Sequence, residues 1–202
     1  MNEPTARHRA AQGGIKLGIM AILLAITLTA KGQTLAVKNN LLYDAALTPN
    51  IGLELRTAPH WTLGINAGYM PWPQHSARRT KWKHLLVAPE MRYWFCETFS
   101  GHFLGFNAVY SHYNAGHLHL PLGLYPTIKD KRKQGDLVAA GLFWGYSWIL
   151  SPHWSFEAEA GVDVGYTWYK NYECAHCGTY LGKDDKSFVM PKLGLNVIYN
   201  IK

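Results

Sequence analysis

The sequence predicts an all-β fold: an eight-stranded antiparallel up-and-down transmembrane β-barrel with a polar lumen filled by side chains. Three observations predict it. The first is the stretch from Trp154 to Tyr169, WSFEAEAGVDVGYTWY. Trp154, Phe156, Ala158, Ala160, Val162, Val164, Tyr166 and Trp168 fall on one face of a period-two pattern. Ser155, Glu157, Glu159, Gly161, Asp163, Gly165, Thr167 and Tyr169 fall on the other. Successive Cβ atoms of a strand point to opposite sides, so this is one strand with two unlike faces. Its apolar face is aromatic at both ends, as expected of a span between two membrane interfaces. The second observation is composition: 19 glycines, 13% aromatic residues and only 16% charged residues, against about 25% charged in soluble domains. The third is the rhythm of the connections. Short turns at 58–60, 97–101 and 151–153 interleave with long segments at 71–82, 114–135 and 171–186, as in barrels with short turns at one end and long loops at the other.

Each strand follows from the same alternation. Val37 to Leu47 sets Val37, Asn39, Leu41, Tyr43 and Ala45 against Lys38, Asn40, Leu42 and Asp44. Thr48-Pro49-Asn50 reads as a turn. Ile51, Leu53 and Leu55 then oppose Gly52, Glu54 and Arg56. The third strand sets Trp61, Leu63, Ile65, Ala67 and Tyr69 against Thr62, Gly64, Asn66 and Gly68. From His84 to Phe95, Leu85, Val87, Met91 and Tyr93 face out, while Ala88, Glu90, Arg92 and Trp94 face in. Leu104, Phe106, Ala108 and Tyr110 mark the fifth strand, and Leu142, Trp144, Tyr146 and Trp148 the sixth. Phe188 to Ile201 closes the set. A soluble barrel would put its apolar residues inside. Here glycines and carboxylates share one face and aromatics the other.

Residues 1–32 read as a secretory signal peptide, and 33–202 as the barrel. Arg7, His8, Arg9 and Lys16 form a basic start, Leu17 to Ala30 an apolar run, and Ala30-Lys31-Gly32 a cleavage site that leaves Gln33 first. The run is short for a transmembrane helix, which needs about 20 residues. Without the leader's Glu3, Arg7, Arg9, Lys16 and Lys31 the charge drops from +7 to a modest excess of base. No basic helix or basic-aromatic module is present, so nucleic acid is not an expected partner. The last strand carries Lys192, Gly194, Val197 and Tyr199, which fit the pattern read by the outer-membrane barrel insertion machinery.

The inward charges are Lys38, Asp44, Glu54, Arg56, Glu90, Arg92, Glu157, Glu159, Asp163 and Lys192. In a narrow lumen they must pair, because an unpaired buried charge is strongly penalised. Glu54, Arg56, Glu90, Arg92, Glu157 and Glu159 are the expected centre of that network. Such a set either fills the lumen or carries a proton or ion path; eight strands leave room only for side chains. Cys174 and Cys177 read as a loop disulfide of an oxidising compartment, with zinc as the weaker alternative, since it wants four ligands. Cys96 reads as a free thiol. His112, His117 and His119 form a loose cluster without a carboxylate at useful spacing. Ser111 and His112 are neighbours and point to opposite faces, which argues against a hydrolytic pair. Arg78, Arg79, Lys81 and Lys83, with Lys129, Lys131, Arg132 and Lys133, fall at the outer rim, where they either meet lipopolysaccharide phosphates or are simply solvated. No metal or other cofactor is expected.

With these residues assembled, the chain resembles the DUF3575 family of uncharacterised Bacteroidetes proteins. The likeness is carried by VKNNLLYDAALTPNIGLEL (37–55), KHLLVAPEMRYWFCETFSGHFLG (83–105), GYSWILSPHWSFEAEAGVDVGY (145–166) and YECAHCG (172–178). Pro89-Glu90-Met91-Arg92-Tyr93-Trp94 is its most specific piece. The resemblance implies an outer-membrane-type barrel, sometimes encoded near surface-fibre genes, and brings no activity or catalytic residue. The expectation is therefore an outer-membrane protein with a structural or surface-interaction role. Its expected partners are outer-membrane lipid, lipopolysaccharide and an extracellular or surface-fibre protein. The alternatives are a lipid-modifying enzyme of deacylase or acyltransferase type, and a soluble secreted ligand-binding barrel.

Overall fold

The computed structural model describes residues 35–71, 81–116, 132–173 and 179–201. The expected signal peptide and the loop cysteines Cys174 and Cys177 lie outside the described residues, as do His117 and His119. Eight strands run in chain order: β1 (Leu35–Asn40), β2 (Asn50–Ala58), β3 (Trp61–Met70), β4 (Lys81–Trp94), β5 (Gly101–Gly116), β6 (Arg132–Ile149), β7 (Trp154–Tyr172) and β8 (Tyr180–Ile201). Each is antiparallel to the next, and β1 pairs with β8, so the sheet closes into a ring. One helix, α1 (Leu41–Ala45), joins β1 to β2. No helix among the described residues is long and apolar enough to cross a membrane.

Register fixes the geometry of the ring. One ladder row starts at Leu35 and passes through Leu55, Leu63, Met91, Phe106, Leu142 and Val162 to Pro191. The partner of Leu35 on β8 is Ile201, ten positions further on. A stagger of ten residues at ~3.3 Å, over eight strands ~4.8 Å apart, tilts the strands by about 40°. Each residue then climbs about 2.5 Å along the ring axis. Each step to the next strand along a row climbs a further residue or so. Residues at one level are therefore not residues in one row, a point on which the interior depends.

The strands lengthen in order, from 6 residues in β1 to 22 in β8. At the end that holds the short turns all eight stop together. At the other end β1 and β2 stop roughly 20 to 35 Å below the tops of the rising strands, by the same climb per residue. Only β4 to β8 continue upward. The upper parts of these strands correct the sequence reading, which placed Asn114 to Gly135 and the residues up to Lys186 in loops. Asn114–Gly116, Arg132–Gly135 and Tyr180–Lys186 are paired strand. Their composition is polar, but an unbroken ladder with a neighbour outweighs weak local propensity.

A second correction concerns the first strand, read from the sequence as running to Leu47. It ends at Asn40, whose side chain accepts from the Leu42 N–H at 2.9 Å and caps α1. Asn50 holds the same corner, donating to the Asn40 carbonyl and to Asp44 Oδ1 at 2.9 Å each. The apolar alternation continues through Leu47, yet a good N-cap overrides it. Asp44 consequently sits exposed on α1 and leaves the inward set.

Candidate functional site

The interior splits into layers because the tilt sorts residues by level. Lys38 of β1, Glu54 of β2, Arg92 of β4 and Glu157 of β7 come to one level within about 2 Å when the stagger is applied. There they form the floor of the interior. Lys38 Nζ lies 2.8 Å from Glu54 Oε2 and also bonds Glu90. The Arg92 guanidinium reaches both Glu157 oxygens at 2.8 and 2.9 Å, Glu159 Oε2 at 2.8 Å, Glu90 Oε1 at 3.1 Å and Glu54 Oε2 at 3.4 Å. Lys192 Nζ approaches Glu159 and Glu90 more loosely, at 3.5 and 3.6 Å. All of these side chains except Lys192 are at most 5% exposed. Four carboxylates thus share three cations, with Arg92 Nη1 shared between both oxygens of Glu157 and Nη2 given to Glu159.

Aromatic rings seal the floor. The Arg92 guanidinium lies against the face of the Phe103 ring at 4.5 Å and of the Phe143 ring at 5.4 Å, and Lys192 stands over Phe143. Glycine makes room for them: a Cβ at Gly105 would come within 2.2 Å of the Phe143 ring. Trp94, fully buried, donates its indole N–H to Thr62 Oγ1 at 3.0 Å, and Thr62 donates on to Glu54. Phe99, in the turn below, packs on Trp94 with ring centroids 5.9 Å apart.

Two expected members of this network are elsewhere. Arg56 shares a ladder row with Arg92 through Thr62, but two steps of tilt drop it about 6 Å lower. It lines a shallow cavity of about 320 Å³ at the lower rim with Pro59, His60, Cys96, Glu97 and Thr98. No ion pair among the described residues includes it. Asp163 lies well above the floor and accepts from Asn107 Nδ2 at 3.0 Å, out of reach of the cations. Cys96 is an exposed free thiol beside Arg56. Conversely, Lys38 was in the inward set but not in the expected centre, and it bridges Glu54 and Glu90 there.

Above the floor the interior changes character. Leu86, Leu137, Phe188 and Met190 face inward but are only half-buried. Tyr43 dips in from α1, within electrostatic reach of Glu159, Asp163 and Glu90. Outside the ring, His112 Nδ1 lies 2.8 Å from Asp136 Oδ1, which also accepts from the Tyr110 hydroxyl at 2.8 Å. Partial burial pushes the Asp136 carboxyl up, but these hydrogen bonds outweigh it and hold the pKa below the usual aspartate range. Ser111 is buried inside the ring and His112 is on its outside. No group of three or more His, Cys, Asp or Glu among the described residues has metal-binding geometry.

This arrangement can fill the interior and hold the shape of the ring. A comparison with curated proteins finds no match. The family model described as a protein of unknown function, DUF3575, matches residues 18–201, and the chain belongs to that family.

Proposed function

We propose that this chain is a small outer-membrane β-barrel with a sealed interior, acting as a structural and surface-interaction protein. The observation that carries the reading is a pair of level rings on the outer face. With the stagger applied, Trp61, Tyr93, Trp148, Trp154 and Tyr199 fall within about 6 Å of one level. The first polar outward residues of β4, β5, β6 and β8 are Lys83, His112, Asp136 and Ser187. They fall within about 5 Å of a second level, roughly 25 to 30 Å above the first. Between the two, Leu53, Leu63, Ile65, Met91, Phe106, Leu142, Trp144, Val162 and Leu193 are each at least 41% exposed. A soluble protein rarely leaves so large an apolar surface in water. Level polar limits at this spacing on β4, β5, β6 and β8, over a level lower ring, are what a bilayer demands of a tilted barrel.

On this reading the short turns lie in the periplasm and the tall ends of β4 to β8 stand at the cell surface. There they present the expected docking surface for an extracellular or surface-fibre partner. Val197 and Tyr199 face outward near the C-terminus while Lys192 and Gly194 face inward, which suits reading of that strand by the insertion machinery. The floor of charges and rings blocks conduction. The test is a heat-modifiable gel shift in detergent together with surface protease accessibility of intact cells. A shift with cleavage confined to the long loops is expected; a mature protein that fractionates as soluble without detergent would overturn the proposal.

A lipid-modifying enzyme is the second reading, and the outward His112–Asp136 pair is the observation in its favour. Among the described residues no serine or threonine hydroxyl bonds His112, so the pair lacks a nucleophile. An altered lipid A mass spectrum in a deletion strain would promote this reading over the first.

A further inference from the structure

The outer face above the apolar band carries a row of donors for which the sealed barrel has no use. Lys83 stands opposite Asn114, Asn114 opposite Gln134, Gln134 opposite Lys170, and Lys170 opposite Lys183. All five share the outward parity of Tyr110 and Trp168. Arg132 lies two rows higher on the same face, its guanidinium 4.2 Å over the Tyr172 ring. No ion pair among the described residues uses Lys83, Arg132, Lys170 or Lys183. The acids on this face are engaged elsewhere: Asp136 with His112 and Tyr110, and Asp185 with the Tyr166 hydroxyl at 2.5 Å.

The Lys170–Lys183 pair is the telling feature. Both side chains are exposed, and they face each other across an antiparallel ladder, where Cβ atoms are about 5 Å apart and like charges destabilise. An anion held between them would turn that repulsion into attraction. We propose that this row binds the phosphates of an outer-leaflet lipid head group. The inference rests on the membrane reading, which sets Lys83 at the upper edge of the apolar band; from there the row climbs with the tilt, and Lys183 stands about 12 Å higher. Continuity favours a lipid over free phosphate: acyl chains against the band place their own head groups at the foot of the row, beside Lys83, from where the head group rises toward Lys170 and Lys183. The row also spans five strands, about 19 Å, which fits a head group bearing more than one phosphate better than a single ion.

The experiment uses the full chain folded in zwitterionic detergent micelles. These are doped with a bis-phosphorylated glycolipid, with its dephosphorylated counterpart, or with inorganic phosphate at equal phosphorus. The phosphorylated glycolipid is expected to bind and raise the urea midpoint. A Lys170→Gln, Lys183→Gln double variant should weaken that binding about thirtyfold, at roughly 1 kcal/mol per lysine near an anionic surface. In undoped micelles Lys170→Gln alone should raise the midpoint, because it removes the repulsion. That reversal of sign is not expected of a merely structural lysine. Equal binding by the double variant, equal binding of the dephosphorylated lipid, or a full effect from inorganic phosphate would each overturn the proposal. A wild type that shows no heat-modifiable shift at all would instead sink the membrane reading beneath it.

Discussion

The lower and upper halves of the interior are built from opposite materials. The floor is charge and aromatic ring, with Lys38, Glu54, Arg92 and Glu157 at most 3% exposed. The chamber above it combines the half-buried Leu86, Leu137, Phe188 and Met190 with the buried Asn107, Ser111, Asp163 and Thr167. Wall height explains the difference. At the floor all eight strands encircle the interior, so water is shut out and every charge must find its partner. Higher up only β4 to β8 rise, enclosure is incomplete, and hydrogen bonds from neutral donors, such as that from Asn107 to Asp163, take the place of ion pairs. Charge density follows enclosure: a dense network is tolerable only where the ring is complete enough to hold its geometry.

The sharpest way to break this comparison is Arg92→Leu. It strands Glu157 in a closed interior and leaves Glu159 only Lys192, and the expected loss is about 3–5 kcal/mol, read from urea unfolding in detergent. A loss below 1 kcal/mol would mean that water reaches the floor. Next come paired truncations. Phe143→Ala, at a site 1% exposed, should cost about 3–5 kcal/mol, and Phe188→Ala in the chamber clearly less. Equal losses would erase the distinction between the layers.

Glycine substitutions sharpen it further. An alanine Cβ at Gly105 would overlap the Phe143 ring, whereas one at Gly68, under the low wall, meets Thr48 Cγ2 at 3.3 Å. Gly105→Ala is expected to cost about 1–3 kcal/mol, Gly68→Ala under about 1. The smallest effect lies outside both layers, at Asp136. Its folded pKa is depressed, so its stabilisation is present above the ordinary aspartate range and is lost as pH falls through the folded value. Asp136→Asn should lower the midpoint at pH 7 by less than about 1 kcal/mol and leave it unchanged at pH 2. A variant that behaves identically at both values would remove the His112–Asp136 pair from the account.

Much of this was legible from residue order. Period two sorted Glu54, Glu90, Arg92, Glu157, Glu159 and Lys192 to the inner face because a strand cannot do otherwise. What misled was local. The alternation through Leu47 hid the Asn40 cap, and polar composition hid the tops of β5, β6 and β8. Arg56 passed every test of pattern and still belongs at the rim.

The sequence by itself determined that there would be extended segments, that each would have one apolar and one polar face, and which residues would lie on which. It could not determine levels. Arg92 and Glu157 are 65 residues apart and share no ladder row. They meet because the ring closes with a ten-residue stagger, which no strand encodes alone. The same closure lowered Arg56 and lifted Asp163 out of reach. Facing is a property of the pleat, written in every second residue; height is a property of the closed ring, and only tertiary structure could assign it.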